Sequence, residues 1–81
     1  MNSNDSQQYD VILEAREDRC PMPLLKTKLA LSKMSAGQVL RVEAGDAGSL
    51  KDIPQYVAMS NLTLVSQTDD NNVYIFTILK N

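Results

Sequence analysis

The chain of 81 residues has no histidine and no tryptophan, and its only cysteine is Cys20. Each absence closes off a chemistry. Without an imidazole there is no base of the Cys–His hydrolase kind to activate a thiol and protonate a leaving group. Without a second cysteine there is neither an intramolecular disulfide nor a thioredoxin-type dithiol, and no ligand set for structural zinc, so neither metal nor organic cofactor is expected. Aromatic residues make up 5% of the chain, with no stacking motif of the kind that reads single-stranded RNA. RNA binding through Lys26, Lys28 and Lys33 is therefore a poor reading, and no direct nucleic-acid partner is expected. No run approaches the ~20 apolar residues of a membrane span, so no membrane contact is expected. Met1–Gln8 is polar, with neither the basic nor the apolar segment of a secretion signal. The expectation is a disordered tail over residues 1–8 ahead of a single domain over 9–81, cytoplasmic and monomeric.

What is present is ordinary in bulk and uneven in detail. A hydrophobic fraction of 43% and a charged fraction of 22% suit one small globular domain. The net charge of −2 argues against a nucleic-acid coat. From Arg19 to Val42, however, there are five basic residues (Arg19, Lys26, Lys28, Lys33, Arg41) and no acid. That block reads either as a solvated helix face or as a positive field that favours a thiolate at Cys20 or docks an acidic partner.

Cys20 stands between Arg19 and the run Pro21-Met22-Pro23, where a helix should begin. With Cys20 as the N-cap, Pro21 and Pro23 fall at first-turn positions whose N–H groups have no intrahelical partner, so their missing donors cost little. Met22 then offers its amide to the sulfur. A sulfur at the positive end of a helix dipole is biased toward thiolate. The expectation is an exposed, helix-capping, reactive thiol. A lone activated thiol of this kind exchanges with a persulfide or disulfide and carries sulfane sulfur as Cys–S–SH.

Hydropathy patterning gives the order βαβαββ. Tyr9 to Ala15 alternates as a strand. A helix follows over about Met22 to Met34 with two apolar edges, Met22/Leu25/Leu29 and Leu24/Leu31/Met34, of which one should pack on a sheet and the other face solvent or a partner. Gln38 to Ala44 alternates as a second strand. Gly45-Asp46-Ala47-Gly48-Ser49 lacks the lysine of a P-loop and reads as a plain turn. In the second helix Ser49 and Asp52 compete as caps. Pro54 favours the later register or a 3₁₀ start, and Leu50, Ile53 and Val57 form the core stripe. Leu62 to Thr68 and Val73 to Lys80 are strands joined by Asp69-Asp70-Asn71-Asn72. The last strand is apolar on both faces and so belongs in the sheet centre. Met22, Met34 and Met59 are expected as gap-fillers in the core. Two helices for four strands imply an α/β fold, a two-layer α/β sandwich with both helices on one sheet face.

The segment Leu13-Glu14-Ala15-Arg16, followed by Arg19-Cys20-Pro21-Met22-Pro23-Leu24-Leu25-Lys26-Thr27-Lys28, resembles the N-terminal signature of the TusA-like (SirA-like) sulfur-carrier family. Asp46 and Asp52-Ile53-Pro54 resemble its second signature, and the likeness runs from about Tyr9 to Lys80. The resemblance implies a mixed four-stranded sheet and a sulfurtransferase role with a persulfide on Cys20. It also implies partner proteins: a donor such as a cysteine desulfurase or rhodanese-like protein, and an acceptor in tRNA thiolation or other sulfur or selenium metabolism. Pro21, Met22 and Pro23 would support the turn, and Arg19, Lys26, Lys28 and Asp46 would serve electrostatics or docking. The alternative is a non-catalytic interaction or regulatory module of the same fold. Two positions depart from the family: Glu14 and Glu17 stand where Asp and Gly are common. Glu17 would either strain a turn that wants φ > 0 or mark a differently built loop, and with Asp18 it would oppose a thiolate.

Overall fold

The computed structural model describes residues 9–81; the tail expected over Met1–Gln8 lies outside the described residues. The elements run β1 (Val11–Ala15), α1 (Met22–Ser32), β2 (Val39–Ala44), α2 (Ser49–Met59), β3 (Leu62–Asp70) and β4 (Val73–Lys80). The sheet order is β1-β2-β4-β3. β1 is parallel to β2, while β4 is antiparallel to both β2 and β3. The sheet is mixed, and β4 lies inside it as its two apolar faces required. The β3–β4 turn is tighter than expected. Asn71 (φ 51°) and Asn72 (φ 66°) both adopt the left-handed conformation of a two-residue hairpin loop, which asparagine tolerates best after glycine. Asp69 and Asp70 therefore belong to β3, opposite Tyr74 and Val73.

The core lies between the helices and one sheet face. Leu40 and Val42 face Ile78 and Phe76 across the β2–β4 ladder, and Ile53, Val57, Leu31 and Met34 close over them. Burying each such side chain contributes about 1.5–3 kcal/mol. Of the two apolar edges of α1, Leu31 and Met34 are buried and Leu24 packs partly against the core, whereas Met22, Leu25 and Leu29 are 43%, 47% and 56% exposed. Met59 is also exposed, so of the three methionines expected inside only Met34 is there. Thr27, fully buried, donates its hydroxyl to the Pro23 carbonyl at 2.7 Å, so α1 buries a polar group without leaving it unpaired. At the other end of α1, Lys80 of β4 donates to the carbonyls of Leu31 (2.6 Å) and Met34 (2.7 Å). A cation thus meets the negative end of the helix dipole and two carbonyls at the helix end.

α2 begins earlier than either expected cap. Gly48 is the N-cap, and the chain enters the helix through i→i+3 bonds from the Ser49 amide to the Asp46 carbonyl (2.9 Å) and from the Leu50 amide to Ala47 (3.1 Å). This is the 3₁₀-type entry that Pro54 allowed, but it places Pro54 inside the helix. The buried stripe differs from the expected one at its first position. Ser49 takes the inward position with Ile53 and Val57, and Leu50 moves to the margin.

Candidate functional site

Cys20 sits in a turn that joins β1 to α1. The Met22 amide donates to the Arg19 carbonyl at 2.7 Å, the Cys20–Pro21 peptide is cis, and α1 begins at Met22 with Pro21 as its N-cap and no side-chain cap. The expected cap is thereby corrected. The Met22 amide closes the turn on Arg19 and has nothing left for the sulfur, so Cys20 precedes the helix. The expected exposure holds, with Cys20 free and solvent-exposed. Pro23 is buried under α1 and Pro21 is exposed, so only one of the two motif prolines helps anchor the turn from below.

The β2–α2 loop is more than a plain turn, because it packs directly on Cys20. The Asp46 carboxylate accepts the Cys20 amide at 2.9 Å, and the Cys20 thiol donates to Asp52 Oδ2 at 3.2 Å. Two glycines permit the approach. A Cβ on Gly45 would stand 2.3 Å from the Arg16 carbonyl oxygen, an impossible contact. A Cβ on Gly48 would stand 3.1 Å from the Asp46 carboxylate and 3.6 Å from the sulfur. Loop and thiol are therefore one unit, assembled from residues 26 and 32 positions apart.

The electrostatics oppose the expectation of a favoured thiolate. The Cys20 thiol is raised above its ordinary value, first by its hydrogen bond to Asp52, then by partial loss of solvent and by the charges of Asp52 and Asp46. The opposing carboxylates are not the expected ones. Asp18 is ion-paired with Lys26, and Glu14 with Arg16. Glu17 is not at positive φ, so the loop is built without the glycine conformation and carries no strain there. Nor is any residue of the basic block among the groups that shift the thiol. Lys26 is held by Asp18, Lys28 lies over the Tyr56 ring at 5.1 Å, and Arg19 makes no ion pair among the described residues. An open groove of about 180 Å³ runs from Asp52 between the helices, lined by Leu24, Lys28, Gln55, Tyr56 and Met59.

Of the residues singled out in the sequence, the structure brings Cys20 and Asp46 into contact, keeps Pro21, Met22 and Pro23 in the adjoining turn, and diverts Lys26 to Asp18. Residue reading alone missed Asp52 as a neighbour of the sulfur, treating it as a helix cap. It missed Gly48 as well, which looked like one turn glycine among others. No cluster of three or more metal-ligating side chains is present among the described residues, and no helix among them is long and apolar enough to cross a membrane.

An exposed thiol is clasped by the loop ahead of a second helix, on a two-layer βαβαββ frame. Residues 11–80 match the family described as Sulfurtransferase TusA, and the chain belongs to that family. It is 36% identical over 72 residues to the Sulfur carrier protein TusA of Allochromatium vinosum, covering 89% of this chain and 95% of the relative. YrkI of Bacillus subtilis (strain 168) is 35% identical over 71 residues, covering 88% of this chain and 95% of that protein.

Proposed function

We propose that this protein is a cytoplasmic sulfur carrier that holds sulfane sulfur as a persulfide on Cys20 and passes it between a donor and an acceptor protein. The observation that supports this most is the exposed, sole thiol of a chain that belongs to the TusA family. In the loading step the Cys20 thiol loses its proton to solvent and the thiolate attacks the terminal sulfur of a donor persulfide, R–S–SH. The Cys20–S bond forms, the donor S–S bond breaks, and the donor leaves as a thiolate that takes up a proton, giving Cys20–S–SH and R–SH. Unloading repeats the exchange with the acceptor thiol as nucleophile and Cys20 as leaving group. Neither step needs a metal, an organic cofactor or an external oxidant. A cysteine desulfurase or rhodanese-like protein suits the donor role. A relay toward tRNA thiolation, or another branch of sulfur metabolism, suits the acceptor. Met22 and Pro23 hold the turn that Pro21 shares, Asp46 holds its backbone, and Arg19 and Lys28 suit an acidic surface on a partner.

The test is loading with inorganic polysulfide and with a cysteine desulfurase plus cysteine, read by intact mass. The wild-type chain is expected to gain one sulfur atom, lost again on reduction, and Cys20→Ser to gain none. Gain by Cys20→Ser, or none by the wild type, overturns the reading. The second reading, an interaction module, draws on the exposed edge Met22/Leu25/Leu29; under it Cys20→Ser binds its partner unchanged and no sulfur is ever acquired.

A further inference from the structure

We propose that Asp52 guards Cys20, keeping it as a protonated thiol in the free protein and so setting the pH range over which the carrier reacts. The geometry is specific to the sulfur. Asp52 Oδ2 is the atom to which the thiol donates, at 3.2 Å, whereas Asp46 is engaged by the Cys20 backbone amide. Asp52 is held in place from below, since the next residue, Ile53, is fully buried in the core and fixes this turn of α2. If the thiol ionised, the hydrogen bond would be replaced by two like charges at the same separation, and the charged form would be disfavoured.

No cation is among the groups that act on the thiol. From the β2–α2 loop Cys20 is faced by Asp46, from α2 by Asp52, and along its own turn by Arg19 and Asp18. Asp18 is neutralised by Lys26 of α1 rather than by anything near the sulfur. Of these groups, Asp52 and Asp46 are the ones that act on the thiol, both in the direction of holding the proton. A guarded thiol also reacts sluggishly with stray electrophiles, a useful property in a carrier whose only reactive atom is exposed. Thiolate nucleophilicity falls only partly as thiol acidity rises, so lowering the thiol pKa by one unit should speed reaction at neutral pH by about threefold.

The functional weight of this inference rests on Cys20 being the sulfur-bearing residue, but its test does not. The rate of Cys20 alkylation by iodoacetamide is followed by intact mass from about pH 6 to 10 in the full chain and in Asp52→Asn, Asp52→Glu and Asp46→Asn. Asp52→Asn should react about threefold or more faster at neutral pH, with its inflection moved to lower pH. Asp52→Glu, which keeps the charge, should stay near wild type, and Asp46→Asn should shift less than Asp52→Asn. An unmoved or upward inflection in Asp52→Asn overturns the proposal, as does an equal shift in Asp46→Asn. If Asp52→Asn fails to fold by circular dichroism, Asp52→Ser carries the same test. Sulfur loading may fail while the alkylation profile behaves as stated, and the reverse, so the two ideas fall separately.

Discussion

The two helices are each eleven residues long and cover the same sheet face, yet they answer to different demands. α2 buries one side, Ser49, Ile53 and Val57, and its remaining surface is a mixture of polar residues with the separate, exposed Leu50 and Met59. α1 carries apolar side chains on both its buried and its exposed sides. It packs through Pro23, Thr27 and Leu31, a buried stripe that includes a threonine, and leaves Met22, Leu25 and Leu29 in solvent. Packing accounts for the inward stripe of α2, and its exposed apolar residues stand apart from one another. Packing does not account for the leftover apolar edge of α1, which begins two residues after Cys20. The helix that bears the thiol turn keeps a continuous apolar edge that the fold does not use, while the helix that supplies Asp52 exposes only the widely spaced Leu50 and Met59 as large apolar side chains.

Substitutions can break or sharpen that contrast. The largest expected effect is Ile53→Ala in α2, which removes a fully buried side chain from the core and should cost about 2–5 kcal/mol. Urea unfolding would read it as a lower midpoint at unchanged slope. A cost below about 1 kcal/mol would mean that the core tolerates collapse there, and the contrast would weaken. Next comes Lys80→Met, which leaves the Leu31 and Met34 carbonyls without their donor at the end of α1. A loss of about 1–2 kcal/mol is expected, since the bonds are charge-assisted but only partly buried. The smallest effect on stability should come from Leu25→Ala and Leu29→Ala, within about 0.5 kcal/mol of wild type because both side chains are largely in solvent. The charged version Leu25→Glu sharpens the point. It should fold normally and accept sulfur from polysulfide at the wild-type rate, but load more slowly from a protein donor. Equal slowing with both donors would tie Leu25 to the thiol itself and not to a docking edge.

Much of the frame was legible before any coordinates. β4 announced its central place through Val73, Ile75 and Leu79 on one face and Tyr74, Phe76 and Ile78 on the other. Ile53 and Val57 marked the inner side of α2. These signals are local, arising from the period of side chains along one element. The start of α2 was not fixed by such signals, because Ser49, Asp52 and Gly48 all satisfy cap chemistry, and only the 3₁₀ entry settled which one does. The site was legible by half. Cys20 stood out by its neighbours in sequence, and its exposure followed from them. What happens to its proton did not follow. The decisive group, Asp52, arrives from 32 residues away across the β2–α2 crossover, and no periodicity in a single chain records that meeting. Glu17 and Asp18, the acids nearest in sequence, proved to be the wrong ones.

The position of β4 has a consequence for how the molecule comes into being. The strand that lies between β2 and β3 is the last of the four along the chain. A chain emerging from the ribosome can pair β1 with β2 around α1, but β3 has no neighbour until β4 follows it, and the Lys80 clasp on α1 is later still. β3 and β4 pair locally through their two-residue turn, but β4 joins β2 only across the whole of α2 and β3, and such non-local pairing slows folding. Asp46 and Asp52 reach Cys20 only when the β2–α2 loop and α2 are seated beside the thiol turn. The unfolded chain is thus the form in which Cys20 lacks both carboxylates, and folding is what supplies them.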